Sequence, residues 1–117
     1  MRATLPHTEG VALNDDVKLH FEVYGEGKRT IVFLPTWAII HSRCWKAQVP
    51  YFSEHFRVIT YDPRGNGKSD RPEDPKGYSL DAIIGDVIAV MDATQTRSAT
   101  LVGFSFGSAM AFTAASE

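Results

Sequence analysis

One apolar run, at residues 30–34, constrains the fold of this chain more than any other feature of its sequence. The run combines isoleucine, valine, phenylalanine and leucine, so apolar side chains occupy both faces of an extended backbone. Such runs are typical of strands that are buried on both sides in a parallel sheet. Similar strands are expected at residues 56–61 and 98–102. The sequence therefore predicts a sheet that helices cover on both faces.

The clearest helical pattern begins after Ser79, which is the expected N-cap of the helix. Asp81 favours the first turn because a negative charge there interacts well with the helix dipole. Apolar side chains recur at three- and four-residue intervals, and we expect this stripe to lie in the core: Leu80, Ile83, Ile84, Val87, Ile88 and Met91. A weaker helical pattern covers residues 45–55, where Pro50 is expected to kink or split the helix.

An antiparallel hairpin is predicted near the N-terminus, with strands at residues 10–13 and 17–24 and a turn at residues 14–16. The second strand alternates apolar and polar residues, which is typical of a half-buried strand, so His20 is expected to face solvent. Strands and helices alternate after the hairpin. The predicted fold class is therefore α/β, with three layers and a mostly parallel sheet that carries the hairpin at one edge.

Composition and charge exclude several classes of function. The chain has 117 residues and a formal net charge of -2, with acidic and basic residues mixed, so no nucleic-acid partner is expected. No apolar segment is long enough for a signal peptide or a membrane span, which predicts a cytoplasmic protein with no membrane partner. The only cysteine, Cys44, is expected to be a small half-buried side chain and not a nucleophile. Neither a metal nor a cofactor is expected, because the histidines lack paired ligand spacing: His7, His20, His41 and His55.

The motif Gly103-Phe104-Ser105-Phe106-Gly107 is the strongest indication of chemistry in the chain. It has the form G-x-S-x-G and lies between a predicted strand and a helix-compatible segment. A serine in such a tight turn needs strained backbone angles, and larger side chains two residues away on either side would collide with the turn. The following helix directs its first N–H groups toward the serine, where they can stabilise a developing oxyanion.

On this motif and a second block, Asp62-Pro63-Arg64-Gly65-Asn66-Gly67-Lys68-Ser69-Asp70, the chain resembles the α/β-hydrolase superfamily. The second block is similar to the D-x-R-G-x-G-x-S loop that follows the fourth strand in that family. The resemblance covers nearly the whole chain and implies that residues 1–117 are a partial α/β-hydrolase domain, truncated after the helix that follows the serine. It also implies that Ser105 is the nucleophile and that the Phe106 N–H is one oxyanion donor. A serine at this position argues against the dehalogenase and epoxide-hydrolase branches, which use aspartate.

The second oxyanion donor in this family comes from the loop after the third strand. The family usually has His-Gly there, whereas this chain has Pro35-Thr36-Trp37. The backbone N–H of Trp37 can still serve, because a main-chain donor tolerates a change of side chain. Packing of the Trp37 side chain over the cleft is the alternative, and the sequence favours neither. For His41, which follows nearby, a surface or capping role is favoured over a place in the cleft.

The glycine-rich loop has a competing interpretation, because Gly67-Lys68-Ser69 also resembles the end of a phosphate-binding P-loop. That motif needs a glycine where this chain has Asp62, and it needs a helix that starts at the lysine. Prolines follow instead, and they prevent a helix from starting there. We therefore interpret the loop as structural, with four residues holding its shape: Asp62, Arg64, Gly65 and Gly67.

A serine hydroxyl is a poor nucleophile without a base and an acid that orients the base. In this family the acid and the histidine follow the serine, but residues 106–117 contain no histidine or aspartate, and their only acid is Glu117. The chain is therefore expected to be a fragment, inactive alone, of a serine hydrolase that acts on an ester, lactone or related small carbonyl substrate through an acyl-enzyme. Two alternatives stay open: half of a split hydrolase that another chain completes, and a non-catalytic binding module.

The strand at residues 98–102 would be internal in the complete family fold. Here one edge of this strand is expected to be bare and apolar, which makes it a template for pairing with another chain. The sequence therefore predicts self-association through this edge of the sheet.

Overall fold

A computed structural model describes residues 6–35, 42–103, 111 and 113–115 of the chain. The strands are β1 (Thr8–Asn14), β2 (Val17–Tyr24), β3 (Thr30–Phe33), β4 (Arg57–Tyr61) and β5 (Thr100–Val102). The α-helices are α1 (Val49–Phe52) and α2 (Leu80–Ala93), and short 3₁₀ helices cover Ser42–Trp45 and Pro75–Tyr78. Residues 111 and 113–115 are also helical.

The strands within the described residues form one mixed sheet in the order β1-β2-β4-β3-β5. The predicted hairpin is confirmed: β1 and β2 pair antiparallel, and Asp15 in their tight turn has a φ of 54°. β2 also pairs antiparallel with β4, whereas β3 pairs parallel with both β4 and β5. The sheet is therefore antiparallel on the hairpin side of β4 and parallel on the other side, with β1 and β5 at its two edges.

Both faces of the sheet are buried, which confirms the three-layer architecture. On one face, Val32 of β3 and Ile59 of β4 belong to the same apolar cluster as the buried side chains of α2. On the other face, Phe33 and Val58 pack with Val49 of α1. Successive residues of a strand point to opposite faces, so a strand between two helical layers must be apolar on both. This requirement explains the uninterrupted apolar run at residues 30–34.

Helix α2 is confirmed, and so is its N-cap. The Ser79 hydroxyl accepts a hydrogen bond from the N–H of Ala82 at 3.1 Å, and Val87 is fully buried. The expectation that the whole apolar stripe lies in the core is wrong at two positions, because Leu80 is 51% exposed and Ile88 is 43% exposed. Leu80 lies in the first turn of the helix, and Ile88 lines an open groove beside β5.

The expectation of a half-buried β2 with His20 facing solvent is wrong. The His20 side chain is only 12% exposed, because the loop that follows β4 lies against this part of the strand. Further along, Glu22 and Tyr24 are both buried. Tyr24 belongs to the same apolar cluster as α1, so the second face of β2 is covered where the strand passes beside β4.

The helix expected at residues 45–55 is split, as Pro50 predicts. Pro50 lies in the first turn of α1, where the missing N–H of proline costs no hydrogen bond, and a 3₁₀ helix precedes it. Cys44, in that 3₁₀ helix, is exposed, so the expectation of a half-buried cysteine is wrong. None of the helices among the described residues has the length and apolar character needed to cross a membrane.

Candidate active site

The three parallel strands of the sheet bring the predicted site segments to one edge. β3 lies between β4 and β5, and the N–H of Leu34, just beyond β3, donates to the carbonyl oxygen of Val102 at 2.8 Å. The ends of β3 and β5 therefore lie side by side at the carboxyl edge of the sheet. This edge is where open α/β sheets place their ligand sites.

Three of the predicted site residues, Ser105, Phe106 and Trp37, lie outside the described residues, as does His41. Their flanking residues are described. Residues 36–41 run between Pro35, which follows β3, and Ser42, which begins a 3₁₀ helix. Gly103, the first glycine of the G-x-S-x-G motif, directly follows β5.

Described residues on both sides of positions 36–41 are held by hydrogen bonds. Before the segment, the carbonyl oxygen of Leu34 accepts from the indole N–H of Trp45 at 3.0 Å, and the Trp45 ring packs on Phe33 at 4.7 Å between centroids. After the segment, the N–H of Ser42 donates to Oδ1 of Asp62 at 2.8 Å. Leu34 is thus held in the sheet and against Trp45, and Ser42 is held by the loop after β4.

Asp62 lies at the centre of these contacts and is only 5% exposed. Its Oδ2 accepts from the N–H of Lys68 at 3.0 Å, which closes the glycine-rich loop on itself. Burial opposes ionisation of this carboxyl, but the hydrogen bonds from Lys68 and Ser42 and the nearby His20 imidazole outweigh it. The pKa of Asp62 is therefore held below its ordinary value.

The two glycines of this loop allow its tight path. Gly65 and Gly67 both have positive φ angles, of 85° and 55°, which side chains other than glycine rarely adopt. A Cβ at Gly67 would also overlap the Asp62 carboxylate, and one at Gly65 would overlap the Tyr78 hydroxyl. Glycine at position 67 therefore lets the backbone approach the carboxylate that holds the loop together.

The loop also continues the sheet alongside β2. The N–H of Asp62 donates to the carbonyl oxygen of His20 at 3.0 Å, and the N–H of Asp70 donates to that of Lys18 at 2.8 Å. In return, the His20 N–H donates to Oγ of Ser69 at 2.9 Å. These bonds fix the position of the loop beside the carboxyl edge of the sheet.

Arg64 anchors the loop to helix α2. Its guanidinium donates two hydrogen bonds to Asp86, at 2.8 Å to Oδ2 and at 2.7 Å to Oδ1, and a third bond to the carbonyl oxygen of Gly77. The side chains of Arg64 and Asp86 are only 6% and 2% exposed. Asp86 also accepts from the amide of Asn14 at the end of β1, at 2.9 Å. The hydrogen bonds to Asp86 raise the pKa of Arg64 despite its burial.

Sequence reasoning missed Asp86 and Asn14, although a signal for Asp86 was present. Asp86 lies three residues after Ile83 and four before Val90, so it occupies the apolar face of the helix. A carboxylate on a buried face needs a partner. Arg64 was a candidate for this partner, because the sequence indicated no other partner for its guanidinium. Asn14 gave no comparable signal, because asparagine is common in hairpin turns.

In the part of the chain that the structure describes, no group of three or more histidine, cysteine, aspartate or glutamate side chains is arranged to hold a metal ion.

A family model described as the alpha/beta hydrolase fold matches residues 29–117. The chain belongs to the alpha/beta hydrolase fold family. Among curated relatives, the 3-oxoadipate enol-lactonase 2 of Acinetobacter baylyi is 33% identical over 101 residues, which are 86% of this chain and 37% of the relative. The AB hydrolase superfamily protein YisY of Bacillus subtilis is 38% identical over the same shares of the two chains. The chain thus spans little more than a third of the length of these relatives.

Solved structures agree with this family. The enol-lactonase from Burkholderia xenovorans superposes with a TM-score of 0.77 at 32% identity, covering 86% of this chain and 39% of that one. A bromoperoxidase from Bacillus anthracis gives 0.81 at 32% identity over 92% of this chain and 38% of that one. An epoxide hydrolase from Vigna radiata gives 0.83 over 92% of this chain and 34% of that one, but at 23% identity this likeness supports the fold alone.

Proposed function

We propose that Ser105 is the nucleophile of a serine hydrolase that cleaves an ester or lactone through an acyl-enzyme. The serine oxygen attacks the carbonyl carbon of the substrate while a base takes the serine proton. The bond between the carbonyl carbon and the leaving oxygen then breaks, the base gives its proton to that oxygen, and the acyl group stays on Ser105. Water cleaves this ester, which releases the carboxylic acid and restores the serine hydroxyl.

The adjacency of β3 and β5 is the observation that carries this proposal. The hydrogen bond from Leu34 to Val102 supports the proposal, because it holds the described residues that precede the two proposed site segments beside each other. Two backbone donors on neighbouring segments can then approach one oxygen, which is what an oxyanion hole requires. In this proposal those donors are the N–H groups of Phe106 and Trp37.

The relatives support a lactone or ester as the substrate class. Two enol-lactonases, from Acinetobacter baylyi and Burkholderia xenovorans, are 33% and 32% identical to this chain. Phe104 and Phe106 flank Ser105 in the sequence, and Trp37 carries the second proposed donor. These three aromatic side chains favour a hydrophobic acyl or ring group. The base and its acid are proposed to come from polypeptide outside residues 1–117, since residues 106–117 hold neither a histidine nor an aspartate.

Site-resolved labelling tests this proposal. The chain is treated with a fluorophosphonate in the presence of imidazole as an external base, and the labelled serines are mapped by tandem mass spectrometry. Because oxyanion donors contribute about a hundredfold or more to rate, we expect Ser105 to react about a hundredfold faster than the other serines. Ser105→Ala should abolish this fast labelling, whereas Ser98→Ala, an exposed serine before β5, should not. Equal labelling of all serines, or of none in a folded sample, would contradict the proposal.

We further propose that the chain associates with a second copy of itself through β5. This strand is at the edge of the sheet within the described residues, so one row of its backbone groups has no strand partner there. Beside it lies an open groove of about 660 Å³. Apolar side chains line most of this groove: Val87, Ile88, Met91, Leu101, Ala111 and Ala114.

Sedimentation over a range of concentrations tests the association. We expect Ile88→Lys to lower the fraction of dimer at a given concentration, because the charge would have to be buried against the second copy. Leu13→Lys is the matched control, since Leu13 is a similarly exposed aliphatic residue at the opposite edge of the sheet. If Leu13→Lys dissociates the dimer and Ile88→Lys does not, the interface is at β1 and the proposal is wrong.

A further inference from the structure

We propose that Asn66, in the glycine-rich loop after β4, is a site of spontaneous covalent modification by the backbone nitrogen of Gly67. The side-chain amide of Asn66 is lost as ammonia, and the residue becomes aspartate or isoaspartate, with water as the only co-reactant. This inference does not depend on the function proposed above. It rests on the contact between these two residues and on the different arrangement that the structure shows for a second asparagine, Asn14.

The contact at Asn66 brings the two reacting groups together. The N–H of Gly67 donates a hydrogen bond to Oδ1 of Asn66 at 2.6 Å. The Gly67 nitrogen therefore lies within about 4 Å of the side-chain carbon Cγ, which is one carbonyl bond away from Oδ1. Reacting atoms held so close together need little further ordering before a bond forms. Position 67 has no Cβ that would hinder this approach, and Asn66 is half-exposed, so water can reach it.

The reaction follows from the chemistry of a side-chain amide. The Gly67 N–H loses its proton to a base in the solvent, which makes the nitrogen a nucleophile, and the nitrogen then forms a bond to Cγ. The bond between Cγ and Nδ2 breaks, and ammonia leaves with a proton taken from water. Water opens the resulting cyclic imide at one of its two carbonyl carbons. Opening at Cγ gives aspartate, whereas opening at the backbone carbonyl gives isoaspartate, in which the main chain runs through the side-chain carbons.

Asn14 provides an internal comparison, because it is the only other asparagine of the chain. The residues that follow the two asparagines have nearly equal φ angles, of 54° and 55°. The Asn14 side chain, however, is directed toward helix α2, where Nδ2 donates to the carbonyl oxygen of Ala82 at 3.0 Å and to Oδ1 of Asp86 at 2.9 Å. These two bonds hold the group that would have to leave. We therefore expect the fold to protect Asn14 much more than Asn66.

The modification changes the loop where its packing is tightest. Oδ2 of Asp62 accepts from the N–H of Lys68 at 3.0 Å, and a Cβ at Gly67 would overlap this carboxylate. Isoaspartate at position 66 inserts one carbon atom into the main chain directly before Gly67. Either product also adds a negative charge to the loop that holds the Asp62 carboxylate, and like charges at short distance disfavour each other. We therefore expect the modified loop to lose the bond between Asp62 and Lys68.

Peptide mapping by tandem mass spectrometry tests the proposal. The folded chain and the chain unfolded in guanidinium chloride are incubated at about pH 8 and 37 °C in heavy-oxygen water, and incorporation of the heavy oxygen measures the conversion at each asparagine. A misplacement of about one ångström can lower a rate about a hundredfold. We therefore expect folding to slow the conversion of Asn14 at least about tenfold more than the conversion of Asn66.

Asn66→Gln is the matched variant, because it keeps a side-chain amide but places its carbonyl carbon one bond further from the Gly67 nitrogen. We expect no conversion at position 66 in this variant over the same period. Amide hydrogen exchange then measures the effect on the loop. After incubation, the Lys68 amide of the converted wild type should exchange about tenfold faster than before, which corresponds to the loss of one hydrogen bond to a charged group. The incubated Asn66→Gln chain should keep its Lys68 protection.

Three results would overturn the inference. If folding slows both asparagines by the same factor, the contact between Asn66 and Gly67 does not favour the reaction. If Asn66 is converted at least about tenfold more slowly in the folded chain than in guanidinium chloride, the loop protects this residue instead of exposing it. If the Lys68 amide stays protected after conversion, the bond to Asp62 survives and the expected effect on the loop is wrong.

Discussion

Helix α2 has different surroundings on the two sides of the sheet. On the hairpin side, β1 and the glycine-rich loop reach the helix through buried polar groups, with Asn14 and Arg64 both bonded to Asp86. On the β5 side, the helix presents apolar side chains to an open groove, and Ile88 is 43% exposed although its neighbour Val87 is fully buried. Polar contacts with defined geometry fix one side, while the other side leaves apolar surface uncovered.

This difference distinguishes contacts that fix the orientation of two elements from contacts that only bury apolar surface. A bidentate pair between arginine and aspartate fixes both distance and angle, so it determines how the loop sits on the helix. The apolar groove imposes no comparable geometry. Its side chains contribute hydrophobic free energy only when another surface covers them. Asp62 and Arg64 belong to the same loop, so the contact of Asp62 with Ser42 lies on this fixed side.

The largest effect on stability is expected from removing the Asp86 carboxylate, which holds the hairpin side of helix α2. Asp86→Ala leaves the guanidinium of Arg64 buried without its partner, so we expect a loss of about 3–5 kcal/mol in the free energy of unfolding. Urea denaturation measures this loss. The control Asp92→Ala removes an exposed acid from the same helix and should change stability by less than about 0.5 kcal/mol.

A double variant sharpens this test. Arg64→Met combined with Asp86→Leu replaces both charges with apolar side chains of similar size. It should therefore cost clearly less than Asp86→Ala alone, since no buried charge is left unpaired. An equal or larger loss would mean that the hydrogen bonds of this pair stabilise the fold more than the buried charge costs.

Two neighbouring residues of α2 compare the buried and the open surface directly. Val87→Ala creates a cavity in the core, and we expect it to lower the free energy of unfolding by about 2 kcal/mol. Ile88→Ala removes more carbon atoms from the open groove and should cost less than about 0.5 kcal/mol at concentrations where the chain is monomeric. Thermal or urea unfolding of both variants gives the comparison. Similar losses would indicate that the groove is closed in solution.

The smallest expected effect is the pH dependence of Asp62. The pKa of this carboxyl is held below its ordinary value in the folded chain, mainly because hydrogen bonds to the ionised form outweigh burial. Its contribution to stability is therefore complete above about pH 4 and is lost as the pH falls through the lowered pKa. Urea unfolding of the wild type and of Asp62→Asn between pH 6 and pH 3 should show their difference shrinking below about pH 4. A constant difference would mean that Asp62 ionises in the folded chain as it does in the unfolded one.

The sequence predicted the elements of the fold better than their surroundings. The five strands, helix α2 and the Ser79 cap follow from local periodicity and composition, and all are present. Local patterns fail where burial depends on distant neighbours. His20 looked solvent-facing because it occupies a polar position of β2, but a loop some fifty residues further along the chain covers it. Ile88 looked buried because helical period alone does not reveal an open groove.

For the candidate site, the comparison is limited to the loop after β4, because Ser105 and Phe106 lie outside the described residues and stay predictions. The loop motif identified Asp62 and Arg64 as residues that hold the shape of the loop, and both side chains are buried and hydrogen-bonded there. Spacing did not reveal that Asp62 bonds to Ser42, twenty residues earlier in the chain, because that contact depends on β3 lying beside β4. The buried pair of Arg64 with Asp86 likewise depends on how the helix packs.

The order of the strands has a consequence for how this chain acquires its fold. β2 and β3 are consecutive in the sequence but do not pair, because β4 lies between them. The hairpin of β1 and β2 can form early, since its contacts are local. The sheet then stays in two pieces until β4 inserts between β2 and β3, and every pairing of β4 closes a long stretch of chain. Such non-local pairings slow folding, so the rate of folding should be most sensitive to substitutions in β4, even though the proposed chemistry lies elsewhere.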